Sequence, residues 1–420
     1  MAKKDYDVIV VGCGPGGATA ANFAALNGMK VLVVEQKREV GLPIQDGVSA
    51  LYSMSEVEEA AGVRIEDRWI EHLISQHAFF SPSGKCAGGQ LWPDGINIQR
   101  SLFEKGLAEN AIQHGVEIWV DTRMIDLIKD KKGAVTGVKV IRSGEVKELS
   151  CSVLIGADGV YGNVARLVGI PLPRECIVGL SYQVVGAYPS QPAPPAYEIH
   201  IGNKIAPGFF AWVLPHSGMK LNVGVNVQPI HMKEGMTLRG LVQRFMKHLE
   251  EIGRYRFEKA GVVSMMSGVT TTIRHPGMKI VADGVMLIGD GAWRPLLGCH
   301  WGSAGMLTAI YTGRWAAEVA AEAIKKGDVS EKSLSRYPAR CAETLAGREV
   351  DILEAREYYR KVISWPDSKK DEMIEAIGNH ISTLHLYLRG AFHLSYCLQP
   401  IKEWFILSQN PQKITLFLKP

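Results

Sequence analysis

The sequence predicts a mixed α/β fold in which a parallel sheet is assembled from both ends of residues 1–330 and an antiparallel sheet is inserted between them. Two observations predict the parallel sheet. A short apolar strand at residues 7–11 runs into a glycine-rich turn and a helix, and two later apolar strands each run into a glycine turn that contains an aspartate. Alternating apolar and polar residues between 177 and 228 predict the antiparallel sheet. Residues 331–420 are predicted to be a mainly helical C-terminal region.

The first predicted unit is a strand, a glycine turn, a helix and a second strand. Residues 7–11 are apolar and β-branched, as in a buried parallel strand. The alanine-rich residues 18–27 suit a helix that packs closely on a sheet, with Gly28 as its C-cap. Residues 30–34 form the second strand, and the turn at 12–17 has the sequence GCGPGG. This order is that of a Rossmann-type βαβ unit.

The glycine turn has the GxGxxG spacing of a dinucleotide site. Gly12 permits the tight turn, Gly14 lets a pyrophosphate approach the backbone, and Gly17 lets the helix pack against the strand. Glu35 ends the second strand, where a carboxylate can bind ribose hydroxyls, and Gln36 beside it is assigned to the same site. The fingerprint predicts a dinucleotide but does not distinguish FAD from NAD.

The remaining predicted elements follow in an order that places one domain inside another. They are a hairpin within 68–92, a helix at 100–114, a strand at 116–120, a hairpin of 135–141 and 146–151, a strand at 153–156, a helix at 238–249, a strand at 281–288 and a helix at 305–323. The predicted domains are a discontinuous nucleotide-binding domain (1–75, 96–175 and 280–330), an antiparallel β substrate domain (76–95 and 176–279) and the helical region 331–420.

Two later motifs identify the nucleotide. The sequences LIGADG at 154–159 and VMLIGDGA at 285–292 resemble the glutathione-reductase-type FAD superfamily, and more closely its hydroxylase-like branch. The resemblance implies a Rossmann-type FAD-binding domain in which Asp290 accepts a hydrogen bond from a ribityl hydroxyl and Arg100 reaches the FAD. For Arg100 the alternative is a solvated residue at a helix N-terminus, and for Asp158 it is a purely structural role.

One segment points to the substrate. Residues 207–215, PGFFAWVLP, resemble the PxxYxWxFP motif of the geranylgeranyl reductase family, with Phe210 at the motif's Tyr and Leu214 at its Phe. That family reduces isolated C=C bonds of isoprenoid chains, so the resemblance implies a substrate pocket lined by Phe210 and Trp212. The alternative is an ordinary buried strand, since these side chains share one face at period 2, and both can hold together.

Two further segments resemble the parts of that family that lie beside the flavin. In VGLPIQDG at 40–47, Asp46 stands where the family often has Cys, and in PLLGCHWG at 295–302, His300 replaces a glycine. Asp46 and His300 are therefore candidate proton donors, against the alternatives of a turn aspartate and a structural histidine. Three residues of the second segment are assigned to cofactor binding: Pro295, Gly298 and Gly302.

The leading functional hypothesis is an FAD-dependent oxidoreductase that reduces C=C bonds of an apolar, isoprenoid substrate. A second strand–GxGxxG–helix unit is not visible in the sequence, so the expected electron donor is NAD(P)H or a ferredoxin protein, bound transiently. Two alternatives stay open: the cofactor motifs fit the first equally well, and the absence of cysteine clusters weakens the second. They are an FAD-dependent monooxygenase of the aromatic hydroxylase type and a flavin electron-transfer protein.

Composition excludes other partners. The net charge of +4 is small and spread along the chain, which predicts no nucleic-acid binding. The 7 cysteines form no CxxC pair, so no metal site is predicted and a reduced, cytoplasmic setting is expected. No apolar run is long enough for a transmembrane helix. Aromatic residues of the 331–420 tail could contact a membrane peripherally, against the alternative that the tail is a helical cap over the substrate.

Overall fold

The computed structural model describes residues 4–44, 49–51, 53–74, 76–90, 94–171, 176–271, 279–292, 304–344 and 364–375. The elements of the first part of the chain are β1 (Tyr6–Val11), α1 (Pro15–Leu26), β2 (Val31–Val34), β3 (Ala50–Leu51), α2 (Met54–Ala61), β4 (Ile70–Leu73), β5 (Gln76–Phe80), β6 (Cys86–Gln90), β7 (Ile96–Ile98), α3 (Arg100–Gln113), β8 (Glu117–Trp119), β9 (Thr122–Lys129), β10 (Val135–Arg142), β11 (Glu145–Gly156) and α4 (Asn163–Val168). The later elements are β12 (Cys176–Val185), β13 (Tyr188–Pro189), β14 (Ala196–His200), β15 (Phe210–His216), β16 (Lys220–Val227), α5 (Leu238–Glu251), β17 (Tyr255–Arg256), β18 (Gly261–Thr271), β19 (Val281–Ala282), β20 (Val285–Leu287), α6 (Ala304–Lys326), α7 (Glu331–Leu334) and α8 (Arg336–Thr344).

The first large sheet has the parallel core that the N-terminal pattern predicts. Its strand order is β19-β20-β11-β1-β2-β8, and all neighbours in it are parallel except β19 and β20. The strands β1 and β2 are apolar and almost fully buried, because helices α1 and α6 cover one face of the sheet. The predicted strand at 281–288 is in fact two short strands, since Gly284 turns the chain with φ +74°.

A three-stranded antiparallel extension continues this sheet. Strand β11 pairs with β10 along its first half and with β1 and β20 along its second, so it belongs to both parts. The sequence predicts two strands here, at 146–151 and 153–156, but no glycine or proline separates them and the chain runs straight on. Strand β9 completes the extension. It was not predicted, because its charged residues weaken the apolar alternation.

The second large sheet is the predicted inserted antiparallel layer. Its order is β18-β12-β16-β15-β14-β5-β6, and only the β14–β5 pair is parallel. Helix α5, which is capped by Thr237, packs Leu241, Phe245 and Leu249 against one face of this sheet, the back face. The opposite, front face carries the row Phe210, Trp212 and Leu214. The mixed α/β fold with a parallel FAD-type sheet and an antiparallel layer is therefore confirmed.

A helix of the C-terminal region packs on the front face. Residues 367–375 are helical, and Trp365, Met373 and Ile374 join the cluster that includes Tyr197 and Trp212. The packing extends the apolar surface beside the predicted substrate strand. Within the described residues, no helix is both long and apolar enough to cross a membrane.

Polar contacts fasten the same helix to the sheet. The Asn203 N–H donates to Asp367 Oδ1 at 3.0 Å, and Lys370 Nζ donates to Asn203 Oδ1 at 2.5 Å. Lys370 is only 4% exposed, and this burial lowers the pKa of its ammonium group to about 8. Burying the charged ammonium costs desolvation free energy, which the surrounding packing must offset.

Candidate functional site

The glycine turn between β1 and α1 leaves open space in front of the helix. Gly12 has φ +101°, and a Cβ at Gly17 would lie 2.0 Å from the Gly12 carbonyl oxygen, so both positions require glycine. A Cβ at Gly14, by contrast, would meet nothing within 4 Å. The first backbone N–H groups of α1 have no intrahelical partner and are suited to a phosphate in this space.

Glu35 lies at the rim of the glycine turn. Its side chain is 7% exposed, and Oε2 accepts a hydrogen bond of 2.7 Å from the Cys13 N–H. Its other oxygen accepts from the Lys37 N–H at 2.9 Å. These two bonds fix the carboxylate beside the turn, where the sequence predicts that it binds ribose, and Gln36 lines the same cavity.

One cavity joins the glycine turn to the front face of the second sheet. Its nucleotide end is lined by residues of the turn, Glu35, Gln36, Arg100 and Arg123. Its middle is lined by Asp158, Gly159, Gly289 and Asp290, and its far end by Gly179, Ser181, Phe210, Trp212, Asn226 and Met266. The glycine turn and the apolar surface are therefore parts of one cavity.

Arg100 begins α3 and lies along the cavity. Its Nε donates to Glu104 Oε1 at 2.8 Å, and the two side chains are only 17% and 9% exposed. The ion pair holds the guanidinium in place, so Arg100 is not the solvated helix-terminal arginine of the alternative interpretation. The sequence does not reveal Glu104 as its partner except through the i,i+4 spacing.

Asp290 follows β20 and faces the edge strand of the other sheet. Its Oδ2 accepts a hydrogen bond of 2.7 Å from Thr270 Oγ1, at the end of β18. The neighbouring Gly289 N–H donates to Thr312 Oγ1 at 3.1 Å, which ties the turn to α6. The carboxylate thus stands in the cavity where the two sheets meet, and Thr270, which sequence reasoning missed, orients it.

Asp158 has a structural role. Its Oδ2 accepts from the Val164 N–H at 3.0 Å, in the first turn of α4. Its Oδ1 is buried and makes no hydrogen bond to any residue within the described ranges. Burial raises the pKa of this carboxyl above its ordinary value. The helix contact is the structural role that the sequence analysis gives as an alternative, and Asp158 also lines the cavity.

The apolar end of the cavity is built by strand β15. Phe210 and Trp212 are 2% and 1% exposed, and their rings meet edge to face with centroids 6.2 Å apart. The indole lies flat on β16, because Gly224 opposite it has no side chain and a Cβ there would be 2.2 Å from Cζ2 of Trp212. The predicted buried strand and the predicted pocket wall are thus compatible, since the same face serves both.

Strands β12, β16 and β18 contribute residues that sequence reasoning missed. Ser181, Asn226 and Met266 line the apolar end of the cavity from three neighbouring strands. One sequence signal could have indicated this part of the cavity. Asn222, Gly224 and Asn226 alternate along β16, so polar and small residues stand on a buried face where apolar ones are usual. Five assigned residues lie outside the described residues and stay predictions: Asp46, Pro295, Gly298, His300 and Gly302.

A second group of buried charges lies on the back face of the sheet, away from the cavity. Glu198 accepts from Tyr255 Oη at 2.8 Å and from Arg254 Nε at 3.0 Å, and His200 Nε2 lies 3.2 Å from it. Burial alone would raise the pKa of Glu198, but its bonds with His200 and Arg254 outweigh burial and lower that pKa. These contacts stabilise a charged carboxylate inside the fold and do not face the site.

Comparison with known proteins agrees with this architecture. A family model described as an FAD binding domain matches residues 5–343. The chain is 33% identical over 369 residues to the digeranylgeranylglycerophospholipid reductase of Methanosarcina acetivorans, with 83% of each chain covered. It is 29% identical over 410 residues to the reductase of the same name from Methanothrix thermoacetophila, with 95% of this chain and 97% of the relative covered.

A solved structure extends the likeness to the fold. The geranylgeranyl bacteriochlorophyll reductase-like protein of Thermoplasma acidophilum superposes with a TM-score of 0.81 at 25% identity, over 98% of each chain. The match therefore includes both large sheets. The chain belongs to the geranylgeranyl reductase family of FAD-dependent oxidoreductases, as its motifs suggested.

Proposed function

We propose that the protein reduces C=C bonds in the geranylgeranyl chains of a prenyl glycerophospholipid, the substrate class that the relatives' names give. One observation carries the proposal. The cavity that begins at the glycine turn of an FAD-binding fold ends on the apolar wall of Phe210 and Trp212. An isolated C=C bond offers no polar group for recognition, so an enzyme that reduces it must bind the chain by shape and apolar contact.

The residues at the nucleotide end fit FAD. Open space over Gly14 suits the pyrophosphate, and the Glu35 carboxylate beside it suits a ribose. The residues that would hold FAD are Gly12, Gly14, Gly17, Glu35, Gln36, Arg100 and Asp290. When bound and reduced, FAD supplies a hydride to one carbon of the double bond.

The aromatic wall has a further role in this proposal. Phe209 and Phe210 have ring centroids 4.6 Å apart, and Trp212 continues the surface, so these rings would shield a bound chain from water on one side. The second carbon of the double bond needs a proton. The residues that we propose as its source are Asp46 and His300, and Pro295, Gly298 and Gly302 are proposed to lie beside the flavin ring.

The electron donor is proposed to be NAD(P)H or ferredoxin, bound only while the flavin is reduced. The sequence carries one strand–GxGxxG–helix unit, and the structure uses it in the cavity described above. A donor without a dedicated Rossmann-type domain would have to approach the flavin transiently. Supplying each donor anaerobically and following flavin bleaching distinguishes them, since only the physiological donor should reduce the flavin within seconds.

Anaerobic stopped-flow absorbance tests the proposed reaction. The protein is reduced with dithionite and mixed with a geranylgeranyl glycerophospholipid in detergent, with the fully saturated lipid as the matched control. We expect the unsaturated lipid to restore the absorbance of oxidised flavin and the saturated lipid to leave it bleached. Equal behaviour of the two lipids would refute the proposed reaction, and formation of a hydroxylated product when oxygen is admitted with an aromatic substrate would instead indicate a monooxygenase.

A further inference from the structure

Strand β16 places two asparagines, Asn222 and Asn226, on the front face of the second sheet, and their side chains differ in hydrogen bonding. Asn222 is fully buried, accepts a hydrogen bond of 2.7 Å from Trp212 Nε1 and donates one of 3.3 Å to Ser181 Oγ. Both ends of its carboxamide are therefore used inside the protein. Asn222 holds the indole of Trp212 in place, which is a structural task.

Asn226 lies four residues further along the same strand and face. It is 8% exposed and lines the cavity, but its carboxamide makes no hydrogen bond to any residue within the described part of the chain. The amide lies over Gly179, where a Cβ would come within 2.2 Å of its Oδ1, and Phe210 is its partner across the strand pair. The carboxamide is largely buried, lines the cavity and has no partner among these residues, so a hydrogen bond to a ligand atom would satisfy it.

The position of Asn226 relates it to the cofactor end of the cavity. Across the sheet, Asn226 pairs with Gly179 and Gly179 with Gly268, two residues before Thr270, which contacts Asp290. Two strand spacings and two residue rises place Asn226 about 12 Å from Thr270. Trp212 and Leu214 lie further along the face, away from Asp290. A ligand would therefore meet the amide and Phe210 on the side nearer Asp290, and Trp212 beyond them.

We propose that the Asn226 carboxamide donates a hydrogen bond to the oxygen that joins a prenyl chain to its headgroup. This inference rests on the function proposed above, and it names the part of the substrate that the pocket recognises. An ether or ester oxygen accepts the amide N–H, whereas a pure hydrocarbon leaves the amide desolvated and unpaired. The pocket thus selects prenyl chains that carry oxygen over hydrocarbons of equal length.

Paired substrates test this assignment. The probes are a geranylgeranyl glycerol ether and the hydrocarbon in which a methylene replaces the ether oxygen, both in the same detergent. We expect the unaltered protein to prefer the ether by about tenfold or more in kcat/KM, the effect of leaving one buried polar group unpaired. Asn226→Leu should bring that preference close to one, chiefly by slowing the ether, and should leave the Kd and visible spectrum of FAD unchanged.

The matched control is Asn222→Leu, which removes an asparagine from the same strand and face. It should lower Tm and slow both substrates alike, with the preference for the ether retained. Asn226→Ser, a smaller change, replaces the leucine variant if that protein does not fold, and it should also weaken the preference.

Several results would overturn the assignment while leaving the proposed function intact. They are equal rates for both probes in the unaltered protein, an unchanged preference in Asn226→Leu, and a changed FAD spectrum with the preference retained. The last result would show that the amide binds the flavin instead. If the unaltered protein reduces the glycerophospholipid but neither probe, only the assignment is wrong. If it reduces none of the three, the proposed function is wrong and this inference with it.

Discussion

The substitution Gly14→Val separates binding of FAD from folding of the protein. Gly14 has φ −76° and ψ −176°, an extended backbone that any residue adopts, and a Cβ there would meet nothing within 4 Å. We therefore expect the free energy of unfolding of the apoprotein to change by no more than about 1 kcal/mol. The valine side chain would occupy the space in front of α1 that a pyrophosphate needs.

The size of the effect follows from the hydrogen bonds that would be lost. One bond from a backbone N–H to a charged phosphate contributes about 1.5–3 kcal/mol, so losing one raises the Kd for FAD by about 10- to 150-fold. Fluorescence titration of the apoprotein with FAD measures the Kd, and thermal unfolding of the same apoprotein measures the stability. The two measurements together distinguish a blocked site from a damaged fold.

Gly261→Val is the matched control. A Cβ at Gly261 also meets nothing within 4 Å, but the residue begins β18 and does not line the cavity. This variant should bind FAD as tightly as the unaltered protein. Unchanged FAD binding in Gly14→Val, or a large loss of stability in its apoprotein, would refute the argument that the open space in front of α1 receives the cofactor.

Three further predictions concern one contact beside the cavity and two buried charged groups of the second sheet and its neighbouring helix. Thr270→Val removes the 2.7 Å bond to Asp290 and should raise the Kd for FAD about fivefold; an unchanged Kd in the same titration would contradict this. Arg254→Met leaves Glu198 charged and buried, so urea unfolding should show a loss of about 3–5 kcal/mol; a loss below about 1 kcal/mol would argue against it. Lys370 has a folded-state pKa of about 8 against an ordinary 10.5, so between these pH values the unfolded chain binds more protons than the folded chain. The free energy of unfolding should therefore increase with pH over this range. Lys370→Met removes the buried ammonium, so this variant should have a higher Tm at pH 7 and a free energy of unfolding that does not increase between about pH 8 and 10.5. If the increase persists in the variant, another group causes it.

The parallel half of the fold was predictable because its local signals agree. Apolar β-branched strands, the glycine turn and the alanine-rich helix all favour one βαβ unit, and the structure has β1, α1 and β2 at those places. Helix α2 was missed, because its MSEVEEAA sequence has a narrow apolar face and lies in a stretch of glycine and proline. Its stability depends on the Ser53 cap and on packing, which local patterns do not reveal.

The site was only partly predictable, for a similar reason. Motifs point to Glu35, which follows a strand directly, and to Asp290, which lies in the glycine turn after a strand. Thr270 and Asn226 carry no motif and come near the cavity only because strand register places them there. The domain boundaries given above, and the roles of Asp46 and His300, stay predictions.

Mass spectrometry of the lipid after a single turnover tests the central claim most directly. The protein, reduced stoichiometrically and kept free of oxygen, is mixed with excess geranylgeranyl glycerophospholipid, and the lipid is then extracted. Reduction of one C=C bond predicts a product two mass units heavier, in an amount equal to the reduced flavin consumed. Unaltered lipid, or a product that has gained oxygen, would contradict the account.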